Sequence, residues 1–262
     1  MKQKDKQITI KQKQTEILIL LYRFRYLNRV QIQTILNQKY HSRLLKWLNE
    51  LKEEKYIECK YDRKVAPSPS VYCLAPKSRT ILKGNPKVKP RLLGHIWRDK
   101  KYSAEFRSHC LFLGDIYLSL ITLTGKIGAE LHYYTKPDLH GMKHLITPIP
   151  DAYFAIEEKS GRTKRYFIEL FDDLPPRVLR TRINHYFKYH DSDEWQENTD
   201  KPFPEIIIVC PGERIKNHLN YYIQSKLEED SDLIFYLTTR EIIITQGLNS
   251  KSLQRVIHPD EA

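Results

Sequence analysis

Cysteine is scarce in this sequence and is never closely paired. The four are Cys59, Cys73, Cys110 and Cys210, with no Cys-x-x-Cys among them. A zinc site is therefore not suggested. In a reducing compartment they act as small apolar residues. Long hydrophobic runs are missing too, and none approaches the ~20 apolar residues of a membrane span. The opening stretch, Met1 to Lys13, is charged and Gln-rich. It lacks the apolar segment of a signal peptide. The expectation is a cytoplasmic protein with no membrane span. There is no internal repeat, and no low-complexity tract beyond that opening stretch.

What the chain has in excess is positive charge, unevenly placed. The formal net charge is +12 over 262 residues. Residues 1–100 hold 24 Lys/Arg against 8 Asp/Glu, and the remaining 162 hold 20 against 24. The whole excess lies in the N-terminal part, as in a polyanion-binding module attached to something else. Nucleic acid is the first candidate and an anionic membrane surface the second. A hydrophobic content of 40% is enough for real cores.

From Lys13 to Tyr26, Ile17, Leu20, Leu21 and Phe24 recur at helical spacing. Asn28 is placed to cap a second short helix through Ile32, Ile35 and Leu36. A third helix is expected from about Tyr40 to Lys55, with Leu44, Leu48 and Leu51 inward and Leu45 and Trp47 flanking. Residues 56–61 and 71–74 read as strands around a turn-rich loop. Three helices and a hairpin make the order of a winged helix-turn-helix, whose third helix enters the major groove. Lys39, His41, Ser42, Arg43 and Lys46 are placed to read DNA. Lys60, Arg63 and Lys64 of the wing are placed to reach phosphates. The alternative is a solvated helix face or a protein–protein module. The main sequence-independent source of DNA affinity is phosphate neutralisation, which favours DNA.

The expected domains are residues 1–80, the winged helix; 81–100, a basic linker interrupted by proline; and 101–262, an α/β domain. The last opens with a long amphipathic helix from Tyr102 to Leu123, bearing His109 beside its apolar stripe. A strand over 129–134 follows. His140 and His144 are four apart, but Gly141 and nearby prolines make this a loop. Strands over 151–157 and 165–171 come next, then a helix from Pro175-Pro176. Its inward side is read as Val178, Leu179, Ile183, Tyr186 and Phe187, and its polar side as Arg177, Arg180, Arg182 and Lys188. Residues 205–210 form a fully apolar central strand. A helix, a strand over 233–237, and a strand or short helix over 241–245 complete the chain. Strand, helix, strand implies a right-handed parallel crossover.

The two strands around Ser160-Gly161 carry the chemistry. Asp151 begins the first and Glu169 lies near the end of the second. A turn centred on Ser160 makes residues summing to 320 face each other, and these two do. A two-residue turn makes them diagonal neighbours instead. Two such carboxylates can hold a divalent metal, or can simply be a solvated acidic end.

This order of elements resembles the core of the PD-(D/E)xK nuclease superfamily, of restriction-endonuclease-like fold. In it the second strand starts with Asp, the third carries Glu-x-Lys, and another acid precedes them. Pro150-Asp151 and Glu169 match. Glu130 or Glu105 stands for the earlier acid. Position 171 is Phe where the superfamily has Lys. Arg165 or Arg182 is the substitute, able to stabilise charge but not to act as a base. The resemblance implies a mixed α/β sheet domain, with Asp151, Glu169 and Arg182 as catalytic residues. Asp151, Glu169 and Glu130 would hold Mg²⁺ if the site is active.

Over nearly its whole length the chain also resembles the replication-relaxation family of plasmids and other mobile elements. The matching residues are Leu44-Leu45-Lys46-Trp47-Leu48, His109, Pro150-Asp151, Glu169 and the Arg182…Tyr186 helix. Asp172 comes one residue later than that family's Glu-x-Asp. The resemblance implies double-stranded DNA binding in replication, conjugative transfer or their control. A second copy of the chain and replication or transfer proteins are the further partners implied. The alternative is a metal-dependent nuclease or nickase using Asp151 and Glu169, so an enzyme is neither asserted nor excluded. A Tyr-nucleophile relaxase lacks its paired metal histidines, because His185-Tyr-Phe-Lys-Tyr-His190 has the wrong spacing. A regulator sensing a small ligand in its C-terminal domain is the remaining option.

Overall fold

The computed structural model describes residues 10–60, 69–96, 98 and 102–258. The wing residues Arg63 and Lys64 lie outside them. The chain divides into two compact units, 1–111 and 112–262.

In the first unit, α1 (Gln12–Phe24) buries Ile17, Leu18, Leu21 and Phe24. Gln14 is buried on the same helix. Its amide donates to Glu50 (2.7 Å) and its carbonyl accepts from the Lys11 backbone N–H (3.0 Å). A short strand β1 (Leu27–Asn28) leads into α2 (Arg29–Ile35). Asn28 caps α2 as expected: its side chain accepts from the Gln31 N–H at 2.9 Å, and the Gln31 side chain answers at 2.9 Å. Helix α3 (His41–Glu53) buries Leu44, Trp47, Leu48 and Leu51, one stripe at i, i+3, i+4 and i+7. Trp47 is therefore core rather than flanking. Strands β2 (Ile57–Lys60) and β3 (Val71–Leu74) pair antiparallel, and β1 adds to the far side of β3.

In that pairing Cys59 faces Tyr72 and Glu58 faces Cys73, so the two cysteines point to opposite sides of the hairpin. All four cysteines are free thiols. Residues 76–96 are more ordered than a linker. They form a 3-10 turn, α4 (Arg79–Leu82) and α5 (Pro90–Leu93), and they bury Leu82, Val88, Leu93 and Ile96. The Lys89 N–H donates to the Tyr22 hydroxyl at 2.9 Å.

The division between units falls within α6 (Ala104–Ile127). By length and composition alone this helix could cross a bilayer. Ile116 and Leu120 are nevertheless buried, and the Tyr117 ring packs tilted against Tyr133, with centres 4.8 Å apart.

The second unit is a mixed six-stranded sheet. Its strands are β4 (Glu130–Thr135), β5 (Ala152–Glu157), β6 (Thr163–Leu170), β7 (Glu205–Cys210), β8 (Phe235–Thr239) and β9 (Gln254–Arg255), paired in that order. The β4–β5–β6 meander is antiparallel, β6–β7–β8 is parallel, and β9 closes the edge antiparallel. The remaining helices are α7 (Lys136–Leu139), α8 (Pro176–Asp191), α9 (Glu194–Thr199), α10 (Glu213–Gln224) and α11 (Arg240–Gln246). Residues from α8, α9 and α10 join Phe167, Ile206, Ile208, Phe235 and Leu237 in one core on one face of the sheet. Val178, expected inward, is 49% exposed. Residues 241–245 are helical, because the Thr239 hydroxyl caps the Ile242 N–H.

Candidate functional site

The hairpin fixes the site. Ala152 faces Ile168 and Tyr153 faces Phe167, the register in which residue numbers sum to 320. One step further, Asp151 comes opposite Glu169. The turn is closed by Gly161 at φ +84°, a backbone conformation that suits glycine. On the other side of β5, Thr135 faces Ala152, so Lys136 follows opposite Asp151. Asp138 Oδ2 accepts from the Thr135 N–H at 2.8 Å and from the Thr135 hydroxyl at 2.9 Å, which sets Lys136 at the first helical position of α7. From above, α8 turns Leu179, Arg182, Ile183 and Tyr186 to the sheet.

These elements assemble a centre of two carboxylates and two cations. Asp151 Oδ1 accepts from Lys136 Nζ at 2.6 Å, and Oδ2 accepts from the Leu170 N–H at 2.7 Å. Glu169 Oε1 accepts from Arg182 Nε at 3.0 Å, from a second Arg182 nitrogen, and from the Tyr186 hydroxyl. Asp151, Glu169 and Arg182 are 3%, 5% and 8% exposed, so the ions are almost wholly dry. Only Lys136 is open to solvent. Arg182 Nη1 is buried without a hydrogen-bond partner.

Burial is the largest influence on the Glu169 carboxyl and pushes it up, while Arg182 pulls it back. Three donors converge on a single oxygen, an arrangement that suits the ionised acid. Burial works against both cations, but each ends above its ordinary range. Lys136 is held up by Asp151 and Arg182 by Glu169.

Of the expected substitutes for the missing lysine, Arg182 meets Glu169. Arg165 shares its face but lies four residues back along β6, about 13 Å away. Glu130 does not join the pair. It faces Glu157 at the opposite end of β5, about 20 Å along the strand from Asp151. There it lies 3.7 Å from His132. Phe171 fills the core. Lys136 escaped the sequence reading, although the β4 register and the Thr135-x-x-Asp138 cap together place it.

The donor set does not fit Mg²⁺ as it stands. Each carboxylate is already neutralised by a cation, and a divalent ion would have to displace Lys136 from Asp151. No group of three or more His, Cys, Asp or Glu suited to a metal occurs among the described residues.

Two further placements concern the first unit. Lys39, His41, Ser42, Arg43 and Lys46 are all exposed, the last four on the first two turns of α3. Arg43 and Lys39 flank the exposed Tyr40 ring, at 5.7 and 5.9 Å from its centre. Lys60 is 3.7 Å from Glu58.

The centre predicts alkaline lability of the second unit. Burial raises the hydroxyls of Tyr153, Tyr166, Tyr186 and Tyr189, and the Cys210 thiol to about 12. Lys136 is raised as well. In the unfolded chain these tyrosines ionise near pH 10. The stability they lend is therefore complete below about pH 10 and is lost as pH rises through the folded values. Tyrosinate absorbance and loss of circular dichroism should appear together above that pH. Free ionisation near pH 10 with the fold intact would show the hydroxyls to be solvated.

Fold and centre together define a two-unit α/β protein with a buried carboxylate–cation cluster. The family model described as Replication-relaxation matches residues 18–206, and the chain belongs to that family. The matched stretch includes α3 and every residue of the cluster. No curated protein matches. Among solved structures, two point mutants of Lactococcus lactis ZitR are similar at 17% identity, over 48% of this chain and 81% of theirs. Their TM-score of 0.27 carries no argument.

Proposed function

We propose that the chain is a double-stranded DNA-binding protein of a plasmid or other mobile element, acting in replication, transfer or their control. The observation that carries this reading is the exposed polar and basic start of α3, backed by its buried apolar stripe. Three helices followed by a β-hairpin support a winged helix-turn-helix, with α3 entering the major groove. The charge excess of the first 100 residues supplies the phosphate attraction. One such module reads only a short site, so the protein acts as a dimer in the cytoplasm of its host.

Two antiparallel pairings followed by two parallel ones support reading the second unit as a PD-(D/E)xK-like core. Its carboxylates are arranged as a self-neutralised centre that holds the sheet and α8 together. A metal-dependent nickase is the second reading, favoured by the meeting of Asp151 and Glu169.

The test is binding to fragments of the encoding element. Arg43→Ala should weaken specific binding by about 1–3 kcal/mol. Lys46→Ala should weaken all sequences alike and lower the salt slope by about one. Asp151→Asn should leave binding unchanged. No effect at either Arg43 or Lys46 would sink the reading of α3. On supercoiled DNA with Mg²⁺ or Mn²⁺, intact but retarded DNA is expected. Nicking that Asp151→Asn abolishes would establish the enzyme instead.

A further inference from the structure

The sheet face that carries Asp151 and Glu169 holds a second feature further along its strands. Beyond the contact of Tyr153 with Phe167 (5.6 Å) and Trp195 (5.4 Å) lies a half-open cavity of about 420 Å³. Neither carboxylate of the buried centre lines it. Its size falls within the ~300–1,000 Å³ of small-molecule sites.

The lining combines two chemistries. One is aromatic: Tyr134 and Tyr153 are neighbours at 5.8 Å, and Trp195 closes the inner wall. Tyr134 is 39% exposed and Met142 43%, two large apolar side chains left open at the cavity. The other is cationic. Arg165 and Lys201 line the cavity, and among the described residues neither forms an ion pair. The one lining carboxylate, Glu157, is already 3.4 Å from His132. A flat ring with an attached anion satisfies both halves.

We propose that this cavity takes a nucleobase bearing a phosphate. The ring stacks on the tyrosines or Trp195, where every base has a usable face. The phosphate sits on Arg165, whose planar fork matches it, with Lys201 as a second charge. The ligand is either a free nucleotide or a base of a single strand. The inference does not rest on the reading of α3.

The test uses the full chain and calorimetric titration with deoxyadenosine monophosphate, deoxyadenosine, inorganic phosphate and a short oligothymidylate. The variants are Arg165→Gln and Tyr134→Ala, both at positions with solvent access, with Arg43→Ala as the control. Folding is checked by circular dichroism and by duplex binding. Saturable nucleotide binding is expected, with deoxyadenosine about tenfold weaker and each cavity variant about tenfold weaker. That pattern assigns a free nucleotide. Binding of the oligothymidylate alone, weakened by the cavity variants and not by Arg43→Ala, assigns a single strand. Three results would overturn the proposal: no binding of either probe, binding that both cavity variants leave unchanged, or inorganic phosphate binding as well as the nucleotide. Duplex binding left unchanged by Arg43→Ala, with cavity binding intact, would remove only the reading of α3.

Discussion

Arg182→Met should destabilise the second unit by about 3–5 kcal/mol, the cost of removing one partner of a buried ion pair. Methionine keeps most of the side-chain volume, so little of the loss is a cavity. What remains is Glu169, 5% exposed, with the Tyr186 hydroxyl as its remaining side-chain donor. At about 2–4 °C per kcal/mol for a unit of this size, the melting temperature should fall by roughly 10 °C. The double variant Glu169→Gln/Arg182→Met should recover most of that, because the uncompensated charge is gone and the amide can still accept from Tyr186.

The pH dependence separates this account from a simple packing defect. Without Arg182, burial and the Asp151 charge raise the Glu169 carboxyl further, opposed by the Tyr186 hydrogen bond. A carboxyl raised on folding lends stability that is full below its unfolded value near 4.3 and is lost as pH rises through the folded value. The single variant should therefore be least impaired in mild acid, relative to the parent. A thermal-unfolding series from neutral to acid pH checks this. A constant deficit across that range would mean that Arg182 contributes packing and not charge.

The parts of this fold that were legible share a physical cause: local pattern coupled to a short connection. A tight turn narrowed the hairpin register to two, and the strands adopt the one in which Asp151 and Glu169 face each other. The Asn28 cap and the α3 stripe followed from single residues at fixed offsets. Arg182 was expected on the polar side of α8, yet it is buried beside Tyr186, four residues on, because Glu169 lies beneath both. What escaped was non-local or a contest between close terms. Lys136 precedes Asp151 by 15 residues, and nothing in its own neighbourhood marks it as a partner. Only the β4–β5 register places it there. The Ile242-Ile243-Ile244 run has strand propensity, yet it is helical behind the Thr239 cap, with Ile244 69% exposed. Val178 has the right spacing but stands on the first turn of α8, short of the sheet. The two-residue β9 is too brief to leave a pattern.

A lysine at position 171 should not be tolerated, because Phe171 is part of the apolar core of the second unit. Phe171 is 6% exposed and packs in the same core as Leu179, Ile206 and Ile208, while its N–H donates to Val209 at 2.9 Å. Phe171→Lys removes a buried ring, worth about 3–5 kcal/mol when truncated. It also asks an ammonium to sit among apolar side chains. The centre has no carboxylate to spare for it, since Asp151 holds Lys136 and Glu169 holds Arg182. The variant should lose cooperative unfolding of the second unit, whereas Phe171→Leu should cost only about 1–2 kcal/mol. Circular dichroism and urea titration distinguish the two. A Phe171→Lys protein as stable as its parent would mean that the new ammonium reaches Glu169 and that position 171 belongs to the charged centre. The expected collapse would instead mean that position 171 belongs to the apolar core, and that Lys136 and Arg182 are the cations of the charged centre.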